Sequence, residues 1–288
     1  MFFWGTAFVS GRILAQNYHP FCVAYVRFFL ASIILIPLLY KSKAGKLAIN
    51  KDLFFKFIFL ALTGVFSYNL FFLSGLKLVE AGRSSIIVSI NPILTTCFAV
   101  LIYKEPFTLQ KLSGVILAFL GLIIVLTHGH ITQLFSGEFG QGEIYLLCAV
   151  SSWVTYTLYG KNVMKTVTPL ESTTWASFLG SFMILPFALS HGLVQIVSKF
   201  SLLDLLNFSN LGIFSTCFGF IWFYQGVREI GAARTSSFIN LLPIIGTTVG
   251  VLFLNERVGL STFLGGFLVI LGIALVNKAK TNTKSIEH

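Results

Sequence analysis

Ten predominantly apolar stretches, at about 1–15, 20–40, 56–76, 81–103, 108–127, 142–162, 169–190, 207–227, 232–254 and 259–277, follow one another with only short polar breaks. Most come close to the roughly 20 residues that a helix needs to cross the hydrocarbon of a bilayer. The chain is 56% hydrophobic and only 10% charged, against about 25% charged in a soluble domain. No aqueous core could take up so much apolar surface, so lipid is the solvent. In lipid only helices and closed barrels satisfy their backbone groups, and these stretches are too long and too continuously apolar for barrel strands. The expected fold class is an all-α membrane protein with ten transmembrane helices. The first stretch lacks the basic leader and cleavage site of a signal peptide and is read as a helix.

The formal charge of +10 is a topology signal and not a nucleic-acid surface. With the N-terminus in the cytoplasm, the inner loops and tail hold Lys41, Lys43, Lys46, Lys51, Lys56, Lys104, Lys111, Lys161, Lys165, Arg228, Arg234, Lys278, Lys280 and Lys284. The outer loops hold only Lys77, Arg83, Lys199 and Arg257. Positive charge gathers on the cytoplasmic side of membrane proteins, so both termini are expected inside an inner (plasma) membrane. Cys22, Cys97, Cys148 and Cys217 fall within the apolar stretches without paired spacing and read as packing residues. His128-x-His130 has no further ligands beside it, so neither a metal nor a cofactor is expected.

The chain repeats itself. Trp4, Gly11-Arg12, Pro20 and Pro37 match Trp153, Gly160-Lys161, Pro169 and Pro186 at an offset of 149. The offset then becomes 151 and pairs Gly75 with Gly226, Arg83 with Arg234 and Ser85 with Ser236. It continues through Pro92/Pro243, Glu105/Glu256, Gly114/Gly265 and Gly121/Gly272. Each repeat holds five of the expected helices, an odd number, so the second must insert upside down. The domains expected are a repeat over 1–127, an inverted repeat over 142–277 and a short basic cytoplasmic tail over 278–288. Inverted repeats place a solute near the midplane between two halves that exchange roles. The alignment also leaves about eleven residues ahead of Trp153 in its helix but three ahead of Trp4, so the first helix is expected to be about two turns short.

The "WGTAFVSGR" opening, "YVRFFLAS" in the second helix and "SSIIVSINPI" in the fourth carry a specific likeness. So do "KEPFTLQKLSGVILAFLGLIIV" and its partner "NERVGLSTFLGGFLVILGIALV". Together they resemble the drug/metabolite transporter superfamily, in particular its EamA-type ten-helix exporters, over nearly the whole chain. The resemblance implies export of amino acids and related metabolites by alternating access.

Candidate solute-binding residues come from two polar stripes. Ser85, Ser89, Pro92 and Thr96 lie at i, i+4, i+7 and i+11, one face of the fourth helix. Ser236, Asn240, Pro243 and Thr247 occupy the matching face of the ninth. Each proline lies roughly 16 Å into its helix at 1.5 Å per residue and leaves a carbonyl four residues back without a donor, so Pro92 and Pro243 are candidate hinges. Asn91 adds an amide to the first stripe. Single Ser or Thr residues in membrane helices often serve only close packing; the paired stripes point instead to a cavity. Trp4, Trp153 and Tyr156, Tyr68 and Asn69, and Trp222 and Gln225 complete the candidates, with interfacial anchoring as the alternative for the tryptophans and tyrosines.

Acidic residues lie in loops or at helix ends. "TPLE" at 168–171 has the pattern of a capping box, which makes Glu171 structural. Glu105 and Glu256 precede the fifth and tenth helices, where the helix dipole favours them. Arg27 is the one cation well inside a helix; a structural tie is the leading reading, with solute contact the alternative. Gly114-x-x-x-Ala118 with Gly121, and Gly265 with Gly272, form small-residue faces that pack within each half or support a homodimer. The chain is thus expected to be a secondary transporter of small organic metabolites, monomeric or dimeric, with the bilayer and a small solute as partners. A channel or facilitator is the nearer alternative. A membrane-embedded enzyme is the remoter one, since no dyad, metal cluster or phosphate loop is present in the sequence.

Overall fold

The computed structural model describes residues 1–42, 51–103, 109–127, 129 and 140–278. Every regular element among them is a helix. Five helical runs are long and apolar enough to cross a bilayer: Pro20–Lys41, Lys51–Leu78, Pro169–Ser190, Leu202–Ile230 and Arg234–Leu254. Shorter apolar helices cover Leu112–Val125 and Leu260–Val276. His128, His130, Glu105 and the tail beyond Lys278 lie outside the described residues.

Helices α1 (Phe2–Asn17) and α2 (Pro20–Lys41) are joined by Tyr18 and His19. Pro20 opens α2, where a missing N–H is no loss, and the His19 ring accepts the Phe21 N–H. Next, α3 (Lys51–Leu60), a π-helical segment (Ala61–Ser67) and α4 (Tyr68–Leu78) form one run. Then come α5 (Ala81–Val88), α6 (Asn91–Tyr103), α7 (Leu109–Leu126) and α8 (Gln141–Val163). They are followed by α9 (Pro169–Ser190) and the short α10 (Leu193–Val197). A second long run joins α11 (Leu202–Ser209), a π-helical segment (Asn210–Phe218) and α12 (Gly219–Ile230). The chain closes with α13 (Ala232–Ser237), a 3-10 turn (Phe238–Leu241), α14 (Leu242–Leu254) and α15 (Leu260–Lys278).

The two long runs exceed their expected lengths because polar residues extend them past the apolar stretch. Asp52 and Lys56 pair one turn apart at 2.5 Å at the start of α3. Ser201 and Asp204 form a capping box at the start of α11. The segments 81–103 and 232–254, expected to be single helices, are both interrupted ahead of their prolines. Residues Ser89 and Ile90 form a turn between α5 and α6, and the 3-10 turn separates α13 from α14. The cause is shared: a proline offers no N–H to the carbonyl four residues back, and its ring crowds that carbonyl.

The principal packings join the first 127 residues to the remainder. Helix α7 lies against α15, α2 against α9, α4 against α8, and both α1 and α5 against α14. The glycine faces explain the first of these. A Cβ added to Gly121 would sit 2.6 Å from the Gly265 carbonyl oxygen, and one added to Gly114 would sit 2.6 Å from that of Gly272. Backbone meets backbone along this antiparallel seam, with Ala118 beside Gly272. The expectation of packing within each half or in a dimer is therefore corrected: these glycines face one another across the two halves of one chain. Glycine allows this approach because only a residue without Cβ lets carbonyls come so close. The four cysteines are free thiols.

Candidate functional site

Where α1, α2, α4, α6, α8 and α12 converge, they enclose a small cavity walled by Trp4, Tyr68, Trp153 and Phe220 and bearing Arg27 and Asn91. The rings lock together around Trp153. Trp4 meets it edge-on with centroids 5.3 Å apart, Tyr68 lies at 4.8 Å and Phe220 at 5.1 Å. Such edge and tilted contacts suit ring quadrupoles and hold the wall rigid. The Trp4 indole N–H donates to the Ser215 carbonyl at 2.8 Å, so that ring is also fixed to the second π segment.

Arg27 is 3% exposed. Its Nε donates to Thr216 Oγ1 at 2.8 Å and its Nη1 to Asn69 Oδ1 at 2.8 Å. Its guanidinium carbon lies 5.9 Å from the Phe220 ring centre, a cation–π distance. Both acceptors are held by the π segments. In a π turn the ladder shifts by one residue and leaves carbonyls for other donors. Asn69 Nδ2 donates to the Gly64 and Val65 carbonyls, and Thr216 Oγ1 to that of Leu211. The sequence already marked Arg27 and Asn69, whereas Thr216 and Phe220 escaped it.

The candidates of the first polar stripe separate in space. Asn91 lines the cavity; its Oδ1 accepts from Thr95 Oγ1 and its Nδ2 has no hydrogen-bond partner. The hydroxyls of Ser85, Ser89 and Thr96 donate instead to the carbonyls of Gly82, Ile86 and Pro92 in their own helix. A helical serine or threonine readily back-bonds in this way. On the second stripe, Ser236 is fully buried with an unpaired hydroxyl, and the Asn240 Oδ1 is likewise unpaired. Thr247 packs on Gly82. Tyr156 is buried and stacks on Tyr224 at 4.9 Å. Trp222 and Gln225 lie on the exposed side of α12, Trp222 at 57% exposure, and take no part in the cavity.

At the start of α5, just beyond the end of α14, side chains form a polar clamp. Glu256 was expected to favour the start of its own following helix. Its carboxylate instead accepts the N–H groups of Ala81 (2.7 Å) and Gly82 (2.9 Å) at the start of α5, in the other half. The amides there are free because no carbonyl of the helix lies four residues before them, and the helix dipole favours the charge. Arg12 pairs with the same carboxylate at 3.5 Å and donates to the carbonyls of Leu76 and Val79. Arg83 pairs with Glu143 at 2.8 Å and donates to the Val125 carbonyl. Arg12 thus ties α1 to α4 and to the segment before α15.

The profile of the EamA-like transporter family matches residues 1–127 and 140–278. The chain belongs to the EamA-like transporter family. This EamA-like protein is 28% identical over 287 residues to the uncharacterized transporter YyaM of Bacillus subtilis, covering 98% of this chain and 93% of that one. An uncharacterized transporter of Archaeoglobus fulgidus is 29% identical over 278 residues, covering 95% and 94%. A WAT1-related chloroplastic protein of Arabidopsis thaliana is 27% identical over 293 residues, 98% of this chain and 68% of that one. A solved crystal structure, 17% identical with a TM-score of 0.60 over 94% of each chain, shares the fold. The EamA-like protein is therefore a multi-pass membrane transporter and not an enzyme.

Glu171 acts as the sequence implies. Its carboxylate accepts from the Thr168 N–H at 2.6 Å while its own N–H donates to Thr168 Oγ1 at 3.2 Å. Glu171→Gln should keep wild-type flux and pH dependence in transport assays, because Gln also serves at this cap position. Loss of pH-dependent flux in a well-folded variant would make Glu171 a proton carrier instead.

Proposed function

We propose that this EamA-like protein is a secondary transporter of small organic metabolites, with amino acids the leading class, working as an exporter by alternating access. In this reading the chain forms two inverted five-helix repeats in the inner (plasma) membrane, with both termini cytoplasmic. The cavity walled by Trp4, Tyr68, Asn91 and Trp153 is the solute site, and the interrupted helices at Pro92 and Pro243 are the hinges. The observation that carries the reading is the cavity's place between residues 151 apart in sequence. Val88 and Ile239 both line it, as do Asn91 and Leu242; Val88 and Asn91 flank the break ahead of Pro92, and Ile239 and Leu242 lie at the break ahead of Pro243.

Two further features support it. The π segments Ala61–Ser67 and Asn210–Phe218 overlap when shifted by the same offset. The glycine seam pairs Gly114 with Gly272 and Gly121 with Gly265, so each glycine meets the repeat equivalent of its neighbour, the reciprocal pattern of a twofold interface. The cavity measures about 30 Å³, room for a couple of water molecules. Admitting a metabolite therefore requires the helices to part on one side, as the clamp at Glu256 would control.

Reconstituted protein tests this directly. Flux of a labelled amino acid into proteoliposomes should saturate, and unlabelled solute trapped inside should accelerate it. Flux that rises in proportion to concentration with no such acceleration belongs to a channel.

A further inference from the structure

We propose that Arg27 is the seat of a carboxylate, so that the solute is an organic acid, or an amino acid held by its acid end, with an apolar body against the aromatic wall. The inference rests on the cavity being the solute site.

The argument begins with what Arg27 lacks. A buried charge in a membrane protein is costly and is ordinarily matched by a partner. The ion pairs of Arg12 with Glu256, Arg83 with Glu143 and Lys56 with Asp52 all lie elsewhere. None reaches Arg27. Two of its five N–H groups are answered, by Thr216 and Asn69; no acceptor among the described residues meets Nη2. To tie α2 to those two groups, a neutral amide would serve without the cost of burying a cation. A guanidinium gains over an amide only when an anion arrives, because its fork matches the two oxygens of a carboxylate.

The rest of the wall agrees. Asn91 Nδ2 and Trp153 Nε1 are buried donors without partners, at 1% and 3% exposure, and both residues line the cavity with Arg27. An unanswered buried polar group is destabilising, and two beside an unpaired cation, all of them donors, call for one acceptor-rich ligand. A carboxylate has four lone-pair sites and fits this set. The rings of Trp4, Tyr68, Phe72 and Trp153 leave an apolar surface for the remainder of the solute. An α-ammonium group would find the Val88 carbonyl, to which Pro92 offers no N–H. The acid end is thus the shared requirement, and the amine is an addition.

The test uses purified full-length protein in detergent and matched pairs of acid and primary amide, from propanoate to 3-phenylpropanoate, with phenylalanine and phenethylamine as further probes. Binding is read by intrinsic tryptophan fluorescence. The acids should bind about tenfold or more tighter than their amides, the scale of a charged hydrogen-bonded contact. Arg27→Met, checked for folding by size exclusion and thermal melting, should bind acid and amide alike. Arg27→Lys should restore part of the preference. Phenylalanine binding as 3-phenylpropanoate does, with phenethylamine weak, means that the acid end suffices. Absence of an acid preference in every wild-type pair, or its survival in Arg27→Met, overturns the proposal, and the wild-type result stands even if the variant does not fold. Flux separates this from the transporter reading. Arg27-dependent acid binding without saturable flux would sink the transport mechanism but leave the site. Saturable flux of amines or amides without acid preference would do the reverse.

Discussion

Gly121→Ala should sharply lower the yield of folded protein and its melting temperature, and Gly265→Ala should do the same. Each adds one methyl group, yet each Cβ would lie 2.6 Å from a main-chain carbonyl oxygen of the facing helix. No rotamer relieves that contact, so α7 and α15 must separate along their length. Overpacking of cores costs about 1–3 kcal/mol where side chains can yield; here the backbone must yield, which puts the cost at about the top of that range. The two changes press on one seam, so their combination should cost less than their sum. Gly259→Ala is the control, because its new Cβ would find only Ser261 Oγ at 3.9 Å. Size-exclusion profiles and melting curves of the purified variants decide the matter. Wild-type melting for Gly121→Ala would show that the seam is not tight in the membrane.

The second large effect is at the clamp. Glu256→Ala should open the cavity to the face on which Glu256 lies. The change removes the acceptor of two main-chain N–H groups and the counter-charge of Arg12. Hydrogen bonds to a charged group contribute about 1.5–3 kcal/mol each. A loss of about 3 kcal/mol shifts a closed–open balance by about a hundredfold. With Cys22, Cys97, Cys148 and Cys217 replaced, a cysteine at Ala7, in the cavity wall, reports the change. An impermeant thiol reagent applied from that face should modify Ala7→Cys about a hundredfold faster in Glu256→Ala. Glu229→Ala, altering an exposed acid at the end of α12, should leave the rate unchanged. Equal rates in all three backgrounds would mean that the clamp does not govern access.

The aromatic and amide part of the cavity was legible in the sequence because hydropathy sets it apart: Trp4, Tyr68, Asn91 and Trp153 stand out in helices of Leu, Ile and Phe. The helix interruptions were half legible. Pro92 and Pro243 announce a lost hydrogen bond, but whether a helix kinks or stops there depends on its neighbours. Side-chain direction was not legible. Ser89 and Asn91 are two residues apart, yet one hydroxyl turns back to its own helix while the amide enters the cavity. The charged part was legible only in pieces. Arg27 and Asn69 stand out as a cation and an amide inside apolar helices, but Arg27, Asn69 and Thr216 correspond to Ala176, Phe220 and Val65 across the repeat. Repeat symmetry therefore gave no sign that the three meet, and Thr216 was passed over. The reach of Glu256 to α5 could not be read either, since the two are 174 or more residues apart.

The π segments carry a consequence for how these helices tolerate change in length. A π turn accommodates one residue more than an α turn, and the surplus residue is stored within the helix instead of a loop. Removing any one residue from Ala61–Ser67 would let the run relax into uninterrupted α-helix at no cost in backbone hydrogen bonds. Because the surplus residue is confined to one turn, the helix after the deletion would keep nearly its present direction, without the turn of about 100° that a deletion from a plain α-helix imposes. Asn69 would still face Arg27, but the closed ladder would take up the Gly64 and Val65 carbonyls that now accept its Nδ2. What the extra residue supplies in these two stretches is therefore a set of free carbonyls that fix the orientation of the guanidinium's acceptors.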